Sequence, residues 1–180
     1  MSAIDFIDGQ LRVTSDRIAE AVSNARNIFD RNAESAWLAS CSARDHAANS
    51  LATASTWPLV RLGLTATEQR VLWVLVAQEL DPAARAHLRE LATESEVDVS
   101  HDVLRRVIYG SRPGAACWSE LSADGALRTS CLIEAIDGSD VPNHRTTFRV
   151  SNRVLSLVHG EQGLDRELVG LVACPPDMPA

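Results

Sequence analysis

The stretch that most constrains this chain is V-L-W-V-L-V-A-Q-E-L, residues 71–80. Val71 to Ala77 are apolar without a break, so a helix through them is apolar on nearly all sides. Such a helix cannot lie on a surface and must be the central, buried element around which others pack. Thr65 and Glu68 stand ahead of it in T-x-x-E spacing, the pattern of a capping box. The helix is therefore expected to start after Thr65 and to end near Leu80.

The elements that wrap this helix follow from local signals. Asp81 is placed to cap a second helix with Pro82 at its first position, where the missing N–H costs nothing. Ala86, Leu88 and Leu91 are expected to carry its apolar face. Ser100 or Asp98 is expected to cap a third helix, H-D-V-L-R-R-V-I-Y-G, ended by Gly110. Residues 111–114 read as a turn, and Cys117, Trp118 and Leu121 suggest a short fourth helix. The periodicity then changes. S-C-L-I-E-A-I (130–136) and T-T-F-R-V (146–150) are apolar, partly β-branched runs separated by turn-forming D-G-S-D-V-P-N, which predicts a β-hairpin with a long loop. Ser151 is placed to cap a helix N-R-V-L-S-L-V-H-G closed by Gly160. L-D-R-E-L-V-G-L-V (164–172) reads as a last short helix, and the Pro-rich tail 173–180 as a linker or frayed end.

Residues 64–172 thus form three helices, a short helix, a two-stranded wing and a closing helix, the order of a winged-helix domain. Residues 1–56 read as an N-terminal helical hairpin. In 3–30, Ile4, Leu11, Ile18 and Ala25 recur every seven residues, with a second row of Ile7, Thr14, Ala21 and Ile28 widened by Val22 and Phe29. That amphipathic stripe fits either a helix packed on its own domain or a coiled-coil contact with another chain. Residues 33–56 are rich in Ala and Ser, with Trp37, Leu38, Cys41, Ala48 and Leu51 as the packing positions of a second, antiparallel helix. Residues 57–63, with Pro58 and Gly63, read as a linker. The expected fold class is mainly α (α+β).

Composition excludes several chemistries. All 17 basic residues are Arg. Without a Lys the chain holds neither a complete P-loop nor a Schiff-base nucleophile. The formal net charge of -7 disfavours a general nucleic-acid coat. Cys41, Cys117, Cys131 and Cys174 are widely spaced with no C-x-x-C pair, and the five histidines are scattered, so neither a zinc site nor a Cys–His nucleophile is indicated. Ser42 and Ser50 lie in the Ala/Ser-rich helix and not on a G-x-S-x-G elbow. No segment approaches the roughly 18 apolar residues of a membrane span, and M-S-A-I-D-F-I-D-G-Q lacks the basic start of a signal peptide, which leads to the expectation of a cytoplasmic protein with reduced thiols. No catalytic residue, cofactor or metal is assigned.

The residues worth testing as an interaction surface are His101, Arg105, Arg106 and Tyr109 on the third helix, and Arg145 and Arg149 on the wing. In a DNA-binding winged helix, Arg in these places reads guanine or grips phosphate. Glu94, Glu96, Asp98 and Asp102 stand against that use, since they would meet phosphates first. Trp57, beside Pro58, is a candidate contact anchor.

The run L-T-A-T-E-Q-R-V-L-W-V-L-V-A-Q-E-L-D-P-A-A-R-A-H-L-R-E-L resembles the start of the winged-helix domain that precedes the ATPase module in a group of bacterial AAA+ proteins, some encoded with extracellular contractile injection systems. The likeness continues through D-V-L-R-R-V-I-Y-G, W-S-E-L-S-A-D-G-A-L-R-T-S-C-L-I-E-A-I and F-R-V-S-N-R-V-L-S-L-V-H-G-E-Q-G-L-D-R-E-L, covering about residues 62–170. The family's P-loop, Walker B strand and Arg fingers lie C-terminal to this domain and nothing in the chain matches them, so its ATP chemistry does not carry over. The resemblance implies a non-catalytic protein-interaction and assembly module, either a fragment of a longer ATPase or a free-standing homologue. Its expected partners are ring neighbours, an injection-system component, or further copies joined through the N-terminal helix. The alternative is a winged-helix DNA-binding transcriptional regulator.

Overall fold

The computed structural model describes residues 3–26, 31–52, 62–92, 98–110, 119–136 and 143–160. Its elements are α1 (Ala3–Arg26), α2 (Arg31–Ala52), α3 (Ala66–Leu80), α4 (Pro82–Leu91), β1 (Val99–Ser100), α5 (His101–Tyr109), α6 (Ala126–Thr129), β2 (Ile133–Ala135), β3 (Thr147–Val150) and α7 (Asn152–Val158). A further helical turn lies at 119–121. The fold is mainly helical with a small antiparallel sheet, an α+β arrangement.

α3 is the central helix, as its sequence requires. Every residue from Val71 to Gln78 is buried. The capping box forms in both directions: the Glu68 amide donates to Thr65 Oγ1 at 3.2 Å, and the Thr65 amide donates to Glu68 Oε2 at 2.8 Å. Asp81 then serves two helices. Its amide donates to the Ala77 carbonyl at 2.8 Å, closing α3, while its Oδ1 accepts from the Ala83 amide at 2.8 Å, opening α4. Each cap satisfies amides that the helix itself leaves unpaired. In α4 the buried positions are Ala84, Leu88 and Leu91, and Ala86 is exposed. The stripe runs i, i+4, i+7, one helical face, which corrects the expectation for Ala86.

The expected hairpin is two strands of a three-stranded sheet in the order β1-β3-β2. β2 pairs with β3 through Ile133↔Val150, Glu134↔Arg149 and Ala135↔Phe148. β1 adds Val99↔Phe148 and Ser100↔Thr147 on the other side. Two residues carry no readable alternation, so β1 left no signal in the sequence. Ser100 ends that strand and also caps α5, its Oγ accepting from the Val103 amide at 3.4 Å. Ser151 stands at the N-cap position of α7, but its buried hydroxyl makes no cap bond; its amide instead donates to the Leu132 carbonyl at 2.9 Å and ties the helix start to β2.

α1 belongs to the same core. Phe6, Ile7, Ile18, Ala21 and Val22 join the cluster around α3, and Phe6 meets Trp73 edge to face with centroids 6.1 Å apart. Ser15 Oγ donates to Asp81 Oδ2, and Arg26 pairs with Glu90. Of the two readings of the heptad stripe, packing on the chain's own domain is the one found. The row Ile4–Ala25 is not its centre: Ile4 is 70% exposed and Ala25 is exposed. The buried row is Ile7, Thr14 and Ala21, broadened by Phe6, Gln10, Arg17, Ile18 and Val22. α2 lies against α1, with Trp37 and Cys41 buried, Arg17 Nη2 donating to the Cys41 carbonyl at 3.3 Å and Arg44 paired with Glu20. Ile28, Phe29, the stretch 53–61, residues 111–118 and 137–142, and the 164–172 helix and tail lie outside the described residues, as do the side chains of Ala48 and Leu51. Among the described residues, no helix is long and apolar enough to cross a membrane.

Candidate interaction surface

α5 is strongly two-sided. Val103, Leu104, Val107 and Ile108 face the core, and Gly110 ends the helix at φ 65. The polar side is organised by Asp102. Its Oδ1 accepts from Arg105 Nη2 at 2.9 Å, and its Oδ2 lies 2.7 Å from Arg106 Nη2. These are the i,i+3 and i,i+4 pairs that helix geometry favours. Each guanidinium is also spent on a carbonyl: Arg105 Nη1 donates to Gly110 at 3.0 Å and Arg106 Nη1 to Leu91 at 3.2 Å. Arg106 thereby links α5 to the end of α4. The face carries fixed charges of both signs.

Tyr109 continues this net. Its hydroxyl donates to Glu120 Oε2 at 3.2 Å, tying the end of α5 to the 119–121 turn. Burial holds the Glu120 carboxyl above its ordinary value, with the Tyr109 bond acting the other way and Glu68 adding to the rise. Among the described candidates, His101 is the one that leaves the surface. It is 2% exposed, at the first turn of α5 beneath the loop 143–146, and so is a buried residue, not a reader of a partner. On the sheet, Arg149 lies directly opposite Glu134, with Nη2 2.8 Å from Oε2, an exposed cross-strand pair. Arg145 is exposed in the loop before β3, its amide donating to Asn143 Oδ1 at 2.8 Å. Trp57, Glu94 and Glu96 lie outside the described residues, and Asp98 is half-buried.

The described part of the stretch between α5 and the hairpin, residues 119–132, is broken. The turn at 119–121 and α6 are separated by non-helical residues 122–125. Gly125 sits so close to this turn that a Cβ there would stand 2.6 Å from the Glu120 carbonyl oxygen. Within 119–129 the only basic residue is Arg128.

No group of three or more His, Cys, Asp or Glu that could hold a metal occurs among the described residues. Cys41 is buried and Cys131 exposed, both as free thiols, while Cys117 and Cys174 lie outside them. Two shallow clefts are present. One is lined by Gln78, Arg85, Leu88, Arg89, Val99 and Val103; the other lies between α1 and α3 beside Arg17 and Trp73.

Sequence reasoning named both α5 arginines but not the role of Asp102 as their shared partner, although the spacing was in view. It missed Glu120, whose pairing with Tyr109 spans a turn that no periodicity announces. No family model, curated protein or solved structure matches the chain.

Proposed function

We propose that this chain is a winged-helix protein-docking module, the non-catalytic N-terminal part of a bacterial AAA+ ATPase system, which recruits the motor to its complex or arranges the ring. The sheet order β1-β3-β2, with β1 entering directly into α5, agrees with the winged-helix plan. In that plan α5 is the first helix of the helix-turn-helix, and the groove-entering helix is the element just before the hairpin. Here that place holds the broken stretch 119–129. The AAA+ assignment itself rests on the resemblance of residues 62–170.

The observation that carries the reading is the sharing of Asp102 by Arg105 and Arg106. Cations that grip phosphate must release counterions and meet anions unopposed. Here the α5 arginines meet a carboxylate of their own helix, and Arg149 meets Glu134. Such a fixed pattern of mixed charge suits protein recognition, where complementary charges set register and partner choice. The proposed docking face comprises Arg105, Arg106 and Tyr109 with Arg145 and Arg149, and chemistry is left to the motor.

The test is the mass of the purified chain by light scattering, at low and high salt, with and without duplex DNA. A mass indifferent to DNA at both salts supports the docking module. DNA mass gained at low salt and lost at high salt overturns it in favour of a transcriptional regulator.

A further inference from the structure

The buried histidine sits where three elements meet. At the start of α5, the His101 amide donates to the Thr146 carbonyl at 2.8 Å and the Asp102 amide to the His144 carbonyl at 3.2 Å. The loop supplying those carbonyls is itself knotted: the Thr146 amide donates to the Asn143 carbonyl at 3.0 Å, and the Asn143 amide to Thr146 Oγ1 at 2.9 Å. Thr146 is 1% exposed. β1 enters the same seam, since Ser100 pairs with Thr147. The hairpin is thus fastened to α5 through the backbone of His101 and Asp102, beside the buried His101 side chain.

The charged and titratable groups facing the His101 ring, among the described residues, are Asp102 and Arg105 on α5 and His144 on the loop. Asp102 is already divided between two guanidiniums. The positive end of the α5 dipole also points at this place. An imidazolium would be dehydrated beside a guanidinium and a second imidazole.

We propose that His101 is an acid-operated latch: its neutral ring lets the loop 143–146 close on the start of α5, and protonation of the ring forces that loop away and frees the hairpin. This concerns the seam alone and holds whatever partner the outer face binds. The direction follows from the environment. Burial first, then Arg105, hold the His101 pKa below its ordinary 6.5; Asp102 pulls the other way, and His144 adds a smaller lowering. A proton therefore binds the opened seam better than the closed one. The closed state has its full stability above pH 6.5 and loses it as the pH falls below that value, by up to about tenfold in the closing equilibrium per pH unit.

Histidine NMR titration and amide hydrogen exchange on the intact chain, from about pH 7.5 down to about pH 5, test this over the range where histidines titrate. The His101 ring is expected to resist protonation as the pH falls below 6.5. Protection of the His101 and Asp102 amides, corrected for intrinsic exchange, is expected to fall as the pH drops below 6.5, by up to about tenfold per pH unit. His101→Gln is expected to flatten this dependence and His144→Gln to leave most of it. A His101 ring that titrates at its ordinary value with unchanged amide protection overturns the proposal, and that result is read on the wild-type chain even if the variants do not fold. Equal acid sensitivity in a folded His101→Gln chain overturns it as well.

Discussion

α1 and α2 are close in length, 24 and 22 residues, yet they are built into the molecule differently. α1 spreads large side chains along one face, and Phe6, Ile7, Ile18 and Val22 disappear into the core on α3 and α4. α2 spends its length on Ala and Ser. Of its described side chains Trp37 and Cys41 are buried, while Ala36, Ala39, Ser40, Ala43 and Ala47 face outward. Helix propensity is not what separates them, because Ala is the best helix former. What separates them is apolar area: burying a large aliphatic or aromatic side chain contributes about 1.5–3 kcal/mol, and an alanine methyl far less. α1 is therefore part of the domain, and α2 is a helix laid on it.

The largest effect expected from this contrast is at Ile18, which is fully buried. Ile18→Ala is predicted to lower stability by about 2–5 kcal/mol in denaturant unfolding. The whole chain should still unfold in one transition, because α1 and α3 share one core. Two separated transitions, with the second unchanged by the substitution, would show instead that α1 is a separate unit.

Gly110 sharpens the contrast from the α2 side. It holds φ 65 where a Cβ would meet the Glu34 carboxylate and stand 3.3 Å from Trp37. Gly110→Ala is predicted to cost about 1–3 kcal/mol through backbone strain, measured by thermal unfolding. Asp81→Ala, which removes the α4 cap and the Ser15 bond, should cost about 1 kcal/mol, up to about 2. Ser15→Ala should cost less, because the cap remains. On the outer face of α2, Ala39→Glu is predicted to stay within about 0.5 kcal/mol of the parent.

Glu120 gives the smallest effect and a sign that can be checked. Burial raises its pKa above the ordinary 4.5. The folded state therefore holds that proton more tightly, so the contribution is full below pH 4.5 and is lost as the pH rises through the raised value. Glu120→Gln keeps an acceptor for the Tyr109 hydroxyl and removes a half-buried charge. A small rise in Tm at neutral pH that vanishes below pH 4.5 is expected; a fall at neutral pH would mean that the carboxylate is needed as a charge.

The helices were legible where caps and long apolar side chains coincide. Thr65–Glu68, Asp81–Pro82, Ser100 and Gly110 each mark a boundary within their own few residues. Features that depend on distant residues were not legible. β1 exists because Phe148 and Thr147 offer it an edge. The core position of α1 depends on Trp73 and α4, so its periodicity left two partners open. In the candidate surface, the arginines were visible as residue types, but their neutralisation depends on rotamers that place both against Asp102. His101, polar and next to a cap, read as a surface candidate; it is buried, with its amide on the Thr146 carbonyl of a loop distant in the chain.

Arg105 and Arg106 both pair with Asp102 of their own helix, and we propose that they do not serve a nucleic acid. The most direct test is the salt dependence of binding to a labelled DNA duplex, between about 50 and 200 mM salt, where a protein using several phosphate contacts loses orders of magnitude in affinity. The account predicts no measurable binding by the wild-type chain at either salt. Tight binding at the lower salt that collapses at the higher would contradict it.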